Sequence, residues 1–176
     1  MNISRAALLL SALLPLLLGF SSKPKYTITF HAEAEETDPR KTMFPMQLEG
    51  RSKMFKIIPE ISQVNVAAFH PFDSTTGPDK GVALQLDFRG SGALEMVTRT
   101  RQGQILLAMV NGKPVDYVVI DQIITNGLIT IWQGVSDETI KQMGKKLQKI
   151  KPGGPPSMHG DMEMIPATDK EKKRSL

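Results

Sequence analysis

Asn111 and Gly112 stand between two apolar runs, Gln104 to Val110 and Val115 to Ile120. A two-residue type I′ turn needs positive φ at both central positions, and Asn followed by Gly is the pair that meets this most readily. The chain is therefore expected to hold an antiparallel hairpin here. The other apolar segments of matching length read as its sheet neighbours.

Upstream, Tyr26, Ile28, Phe30 and Ala32 alternate with polar residues, the period of two of a half-buried strand. Met43 to Leu48 reads as a short strand, placed at a sheet edge by Pro45. Phe55 to Ile61 is ambiguous. Gln63 to Phe69 alternates again and ends at Pro71, before a Gly-, Pro- and Ser-rich loop from Asp73 to Lys80. Val82, Leu84, Leu86 and Phe88 fall on one face of the next strand. A short helix over Gly92 to Gln102 follows, with Ser91 as its N-cap and Gly103 at its end. Leu128 to Trp132 reads as a strand that Gly134 ends. Ser136 then caps a helix with Asp137 and Glu138 at its positive end and Lys145, Lys146 and Lys149 toward its negative end. Its apolar stripe is Ile140, Met143, Leu147 and Ile150, with Val135 and Ile140 as a hydrophobic staple, and Lys151 and Pro152 stop it. The fold class expected is α+β: a mainly antiparallel sheet with two helices and a ferredoxin-like split β-α-β unit in the second half.

The N-terminus follows different rules. Arg5 precedes an apolar run from Ala6 to Phe20 that holds Ser11 and Pro15, too short for a comfortable membrane span. Residues 1–22 read as a signal peptide cleaved after Ser21 or one residue either side, with an uncleaved anchor as the alternative. Residues 23–151 read as a single domain. Residues 152–176, rich in Pro, Gly, Met and charge, read as a disordered tail. The 22 basic residues barely exceed the 18 acidic ones and are interspersed with them, which argues against nucleic-acid binding. No cysteine is present, which excludes disulfides, thiolate metal sites and thiol catalysis.

The stretch from Val82 to Met143 resembles the head subdomain in the first large periplasmic domain of SecD and SecDF. The resemblance is carried by Gly92 and Ala93, Thr98 or Thr100, Gly103, the turn Asn111, Gly112 and Lys113, the turn Asn126 and Gly127, and Gly134 ahead of Ser136. Asn111 stands where the family usually has Asp, and Asn126 replaces the first Gly of a Gly-Gly turn. The resemblance implies a periplasmic domain that contacts extended polypeptide or an envelope protein. The family's membrane bundle, which carries its proton-coupled work, has no counterpart in this sequence.

No nucleophile or metalloprotease motif is present, and Asp87, Asp116 and Asp121 at strand ends read as solvated carboxylates rather than acid/base catalysts. A non-catalytic binding protein without a cofactor is the expectation. Its candidate contact residues are Asn111, Gly112, Lys113 and Trp132. Trp132 and Tyr117 read first as core packing on neighbouring strands, and second as an exposed platform for an extended peptide. The alternative function is copper handling in the periplasm through Met158, His159, Met162 and Met164, a thioether and imidazole set suited to copper. His31 and His70 could join such chemistry only if their strands were adjacent. The product is expected outside the cytoplasmic membrane, touching it only through an uncleaved N-terminus.

Overall fold

The computed structural model describes residues 26–150. The signal peptide expected over residues 1–22 and the tail expected over residues 152–176 lie outside the described residues. The chain runs β1 (Ile28–Ala32), β2 (Met43–Leu48), β3 (Arg51–Lys56), β4 (Ile61–Ser62), β5 (Val66–Asp73), β6 (Lys80–Leu86), α1 (Phe88–Thr100), β7 (Ile105–Val110), β8 (Lys113–Val119), β9 (Leu128–Val135), α2 (Asp137–Gly144) and β10 (Gln148–Lys149). A first sheet has the order β4-β1-β7-β8, a second has β10-β5-β6-β9, and β2 and β3 form a separate hairpin. Every pairing is antiparallel except β10 with β5. The α+β class holds, and the chain crosses from the second sheet to the first through α1.

Alternation along β1 and β7 explains the layering. Ile28, Phe30, Ala32, Leu106, Ala108 and Val110 share one core with Phe69, Val82, Leu84, Ile129 and Ile131 of the second sheet, with Leu94 and Val97 of α1, and with Met143 of α2. The opposite face of β7 carries Ile105 and Leu107, which pack under the hairpin against Phe55, Phe44, Met46 and Leu48. A strand covered on both faces has no polar side to display, hence the unbroken apolar run of β7.

His31 belongs to this second, smaller core. It is 6% exposed, and its ring meets Phe44 edge-on at 5.5 Å. The Lys56 carbonyl can only accept, so Nδ1–H donates to it (2.8 Å) and Nε2 accepts from the Thr29 hydroxyl (2.9 Å). Glu33 ties the same parts together from the end of β1. Its carboxylate accepts from Lys53 Nζ at 2.6 Å and from the Ile105 amide at 3.1 Å.

Several expectations need correction. The ambiguous segment Phe55 to Ile61 divides between the end of β3 at Lys56 and the start of β4 at Ile61, and a turn at Glu49 and Gly50, both with positive φ (50° and 77°), closes β2 onto β3. β5 continues through Pro71 to Asp73 instead of ending there. Pro71 is tolerated because β10 pairs only with Ala68 and Phe69, so beyond them β5 is an edge with no partner for the missing N–H. Phe88 is not on a strand: it opens α1 and is 85% exposed. The N-cap is Asp87, whose carboxylate accepts from the Gly90 amide at 2.7 Å, and Ser91 lies inside the helix. Gly90 sits there for space, since a Cβ would come within 2.8 Å of the Asn65 Cβ. Gly134 lies inside β9 rather than after it. α2 stops at Gly144, and the residues expected to extend it form β10 instead, where the Ile150 amide donates to the Phe69 carbonyl at 2.9 Å. Pairing with an open edge outweighs another turn of helix at that point.

Asp87→Ala removes the cap of α1 and is expected to lower the unfolding free energy by about 1 kcal/mol in urea denaturation. Arg89→Ala, which leaves the cap in place and changes only an exposed side chain, is expected to change it by less than about 0.5 kcal/mol.

Candidate functional site

The most unusual exposed side chain is Trp132, 62% accessible in the middle of β9. Its position follows from a slip in the β6–β9 ladder. Val82 pairs with Ile131 and Lys80 with Val135, so β9 sets Trp132, Gln133 and Gly134 against the single residue Gly81. Within this bulge Gly134 takes a positive φ of 79°, a conformation that glycine adopts without steric cost. Gly134 also lets β8 approach, since a Cβ there would lie 2.7 Å from the Cβ of Val115.

The bulge takes the Trp132 amide off the ladder, and Asp116 of β8 recovers it. Its Oδ2 accepts from the Trp132 N–H at 2.6 Å while Oδ1 accepts from the Tyr117 N–H at 2.9 Å. One carboxylate thus links the edge of the first sheet to the edge of the second. The indole meets Phe72 edge-on, with ring centroids 5.8 Å apart. Phe72 lies over Gly81, where a Cβ would sit 2.3 Å from the ring. The register continues the outward row with His70, Ala83 and Thr130, of which His70 is exposed and the other two half-buried. Among the described residues this is an open sheet face with two fixed aromatic rings.

Around the same corner, a cleft of about 270 Å³ opens between the hairpin and β8, lined by Met46, Leu48, Leu107, Pro114, Tyr117 and Gln133. The Tyr117 hydroxyl donates to Glu49 at the hairpin turn. That bond raises the Tyr117 pKa, with desolvation and the nearby charges of Glu49 and Asp116 adding to it.

The other sequence-derived candidates are distributed differently. Asn111 and Gly112 form the expected turn, with φ of 52° and 75°. The Asn111 side chain is committed inward: Oδ1 accepts from the Thr27 amide at 3.0 Å and Nδ2 donates to the Thr139 hydroxyl at 3.1 Å. Gly112 and Lys113 are exposed. Trp132 and Tyr117 sit in different sheets, and Trp132 faces solvent rather than the core that was its first reading. Asp87 caps a helix, Asp116 holds two amides and Asp121 is exposed after β8. His31 and His70 lie in different sheets, so the condition for pairing them is not met. Met158, His159, Met162 and Met164 lie outside the described residues. Within them no three His, Asp or Glu side chains gather as a metal site, and no helix is long and apolar enough to cross a membrane. Sequence reasoning missed Phe72 and Asp116 as parts of the site. Gly134 and Gly81 were the available signals, because glycine inside a strand often marks a bulge or a close approach.

No protein-family model matches the chain, and no curated protein matches it. Among solved structures the fold is similar to that in "Structure and function of a membrane component SecDF that enhances protein export", at 20% identity over 66% of this chain and 59% of that one, with a TM-score of 0.47. It is also similar to "Crystal structure of SecDF in Super-membrane-facing form", at 20% identity over 64% of this chain and 17% of that one, with a TM-score of 0.46. The chain thus spans less than two thirds of the length of either.

Raising the pH is expected to loosen the hairpin. Both tyrosines have raised pKa values, Tyr26 through burial and Tyr117 through its bond to Glu49. A group raised on folding stabilises fully below its unfolded pKa, about 10, and loses that contribution as pH climbs through the folded value. An ultraviolet titration should show tyrosinate appearing only above about pH 10, and Tyr117→Phe should remove one of the two shifted transitions. Asn111→Ala, which orphans the Thr27 amide and imposes positive φ on Ala, is expected to cost about 1–3 kcal/mol in urea denaturation.

Proposed function

We propose that this protein is an export-related binding domain of the cell envelope that holds extended polypeptide, or an envelope protein, without catalysis. The observation that carries this reading is the exposure of Trp132. Most buried or half-buried tryptophans need no partner to explain them, but this indole is open to solvent and still fixed on two sides. Asp116 holds its amide, and Phe72, seated over Gly81, holds its ring. Restraint in the free protein means that little conformational entropy is lost on contact. Covering the indole would return roughly 2–3 kcal/mol of hydrophobic free energy. Aromatic side chains of this kind are the usual anchors of protein interfaces.

The row of His70, Ala83 and Thr130 extends the face as a flat platform, and the cleft beside Tyr117 offers an apolar recess around the corner. Together they suit a chain with large apolar side chains spaced along an extended backbone. The sequence resemblance of Val82 to Met143 to the SecD head subdomain supports the same class of partner. Asn111, Gly112 and Lys113 take a smaller part in this reading, because the Asn111 side chain is spent on the fold.

A photo-crosslinking amino acid placed at Trp132 in intact cells tests the reading, with the same group at the exposed Lys41 as control. Adducts with exported chains or envelope proteins are expected at Trp132 and not at Lys41. Equal yields at the two positions would sink the proposal. Trp132→Ser should leave the unfolding midpoint nearly unchanged, since the side chain is mostly exposed, and should cut partner capture by about tenfold or more.

A further inference from the structure

A second surface carries charge rather than aromatic rings. From Lys141 to Lys151 the sequence holds five lysines and no acidic residue. Lys141, Lys145, Lys146 and Lys149 are all exposed, on the last turn of α2 and the segment that leads into β10. None of the four has a carboxylate at ion-pair distance among the described residues. The acids of the element, Asp137 and Glu138, lie in its first turn. There the field of Asp137 falls on Lys80, and Glu138 accepts from Gln142 at 2.9 Å.

The place of this surface gives it a direction. The described chain enters β1 beside α2, because Asn111 joins the Thr27 amide on one side to Thr139 of α2 on the other. Lys113 is exposed at the same turn. Immediately before Thr27 the sequence carries Lys23 and Lys25, and before them the apolar run that ends at Phe20. The seven positions from Phe20 to Thr27 can span at most about 25 Å, and α2, with its 8 residues, is about 12 Å long. The chain that follows the apolar run therefore joins the domain on its α2 side.

Resting on the reading of residues 1–22 as an uncleaved anchor, we infer that the lysines of α2 and its C-terminal extension, with Lys113, form a contact surface for an anionic lipid bilayer, which holds the domain against the membrane. An apolar segment and a basic patch are complementary anchors. The first supplies hydrophobic transfer, and the second supplies attraction to acidic headgroups that acts within about a Debye length. Lysine suits this task because its ammonium is a mobile point charge that needs no fixed geometry.

Lysine footprinting of the full chain in proteoliposomes tests the inference. An amine-acetylating reagent is applied in vesicles of phosphatidylcholine alone and of roughly three parts phosphatidylcholine to one part phosphatidylglycerol, with mass spectrometry reading each site. Acetylation at Lys141, Lys145, Lys146 and Lys149 should slow by about threefold or more in the anionic vesicles relative to Lys41, and the protection should vanish at high salt. Equal rates in the two vesicles, or protection that ignores salt, would overturn the inference. The double variant Lys145→Glu and Lys146→Glu changes only exposed side chains and should abolish protection at Lys141 and Lys149. Protection that survives in the double variant counts against the inference as well. Crosslinking at Trp132 reads a different face, so the two proposals fail separately.

Discussion

The structure depends most on the ladder between β1 and β7, from the pair of Ile28 with Val110 to that of Ala32 with Leu106. These strands are the interior pair of the first sheet and are covered on both faces. The second sheet and the two helices lie on one side, and the hairpin of β2 and β3 lies on the other. A shift of one residue in this register would exchange the side chains of the two cores. The polar groups of β1 specify the register further. The Glu33 carboxylate, just past β1, meets the Ile105 amide only at this alignment, while His31 ties β1 to β3 through the Lys56 carbonyl.

The open aromatic face is a consequence of how the sheets are joined at one corner. β8 and β9 are edges of different sheets, and edge amides without partners invite pairing with other chains. The carboxylate of Asp116 answers that need at the bulge, which turns Trp132 outward and leaves Gly81 beneath Phe72. The exposed indole therefore arises from an ordered local arrangement with satisfied backbone groups. A loose segment would explain neither the Phe72 contact nor the Asp116 hydrogen bonds. The lysine surface of α2 differs in kind, since it rests on charge and needs no fixed geometry.

The start of α1 shows where local reasoning goes astray. Gly90 and Gly92 read as a break before a helix capped by Ser91, because glycine has low helix propensity. The cost of Gly90 is offset by the close approach of Asn65, which no side chain would permit, and Asp87 supplies the cap four residues before Ser91. Phe88, placed by alternation on the inward face of a strand, becomes the first residue of the helix and points to solvent. The end of α2 fails for the converse reason. Its apolar stripe continues to Ile150, but the open edge of β5 recruits Gln148 and Lys149 into a ladder.

The features legible in the amino-acid order alone are those whose cause is local. The Asn111 and Gly112 turn follows from the demand for positive φ, the cap of α2 from the Ser136 hydroxyl, and the buried strand β7 from its unbroken apolar run. The edge character of β2 follows from Pro45 and the α+β class from the alternation of periods along the chain. Tertiary structure decided which strands share a sheet, where β9 slips, and which side chains that slip exposes. Those outcomes depend on contacts between residues far apart in sequence. Asp116 reaches the Trp132 amide across two sheets, and Gly134 admits Val115 because no Cβ stands between them. Periodicity reports which face of a strand is apolar, but only the assembled sheets decide which of those faces is covered.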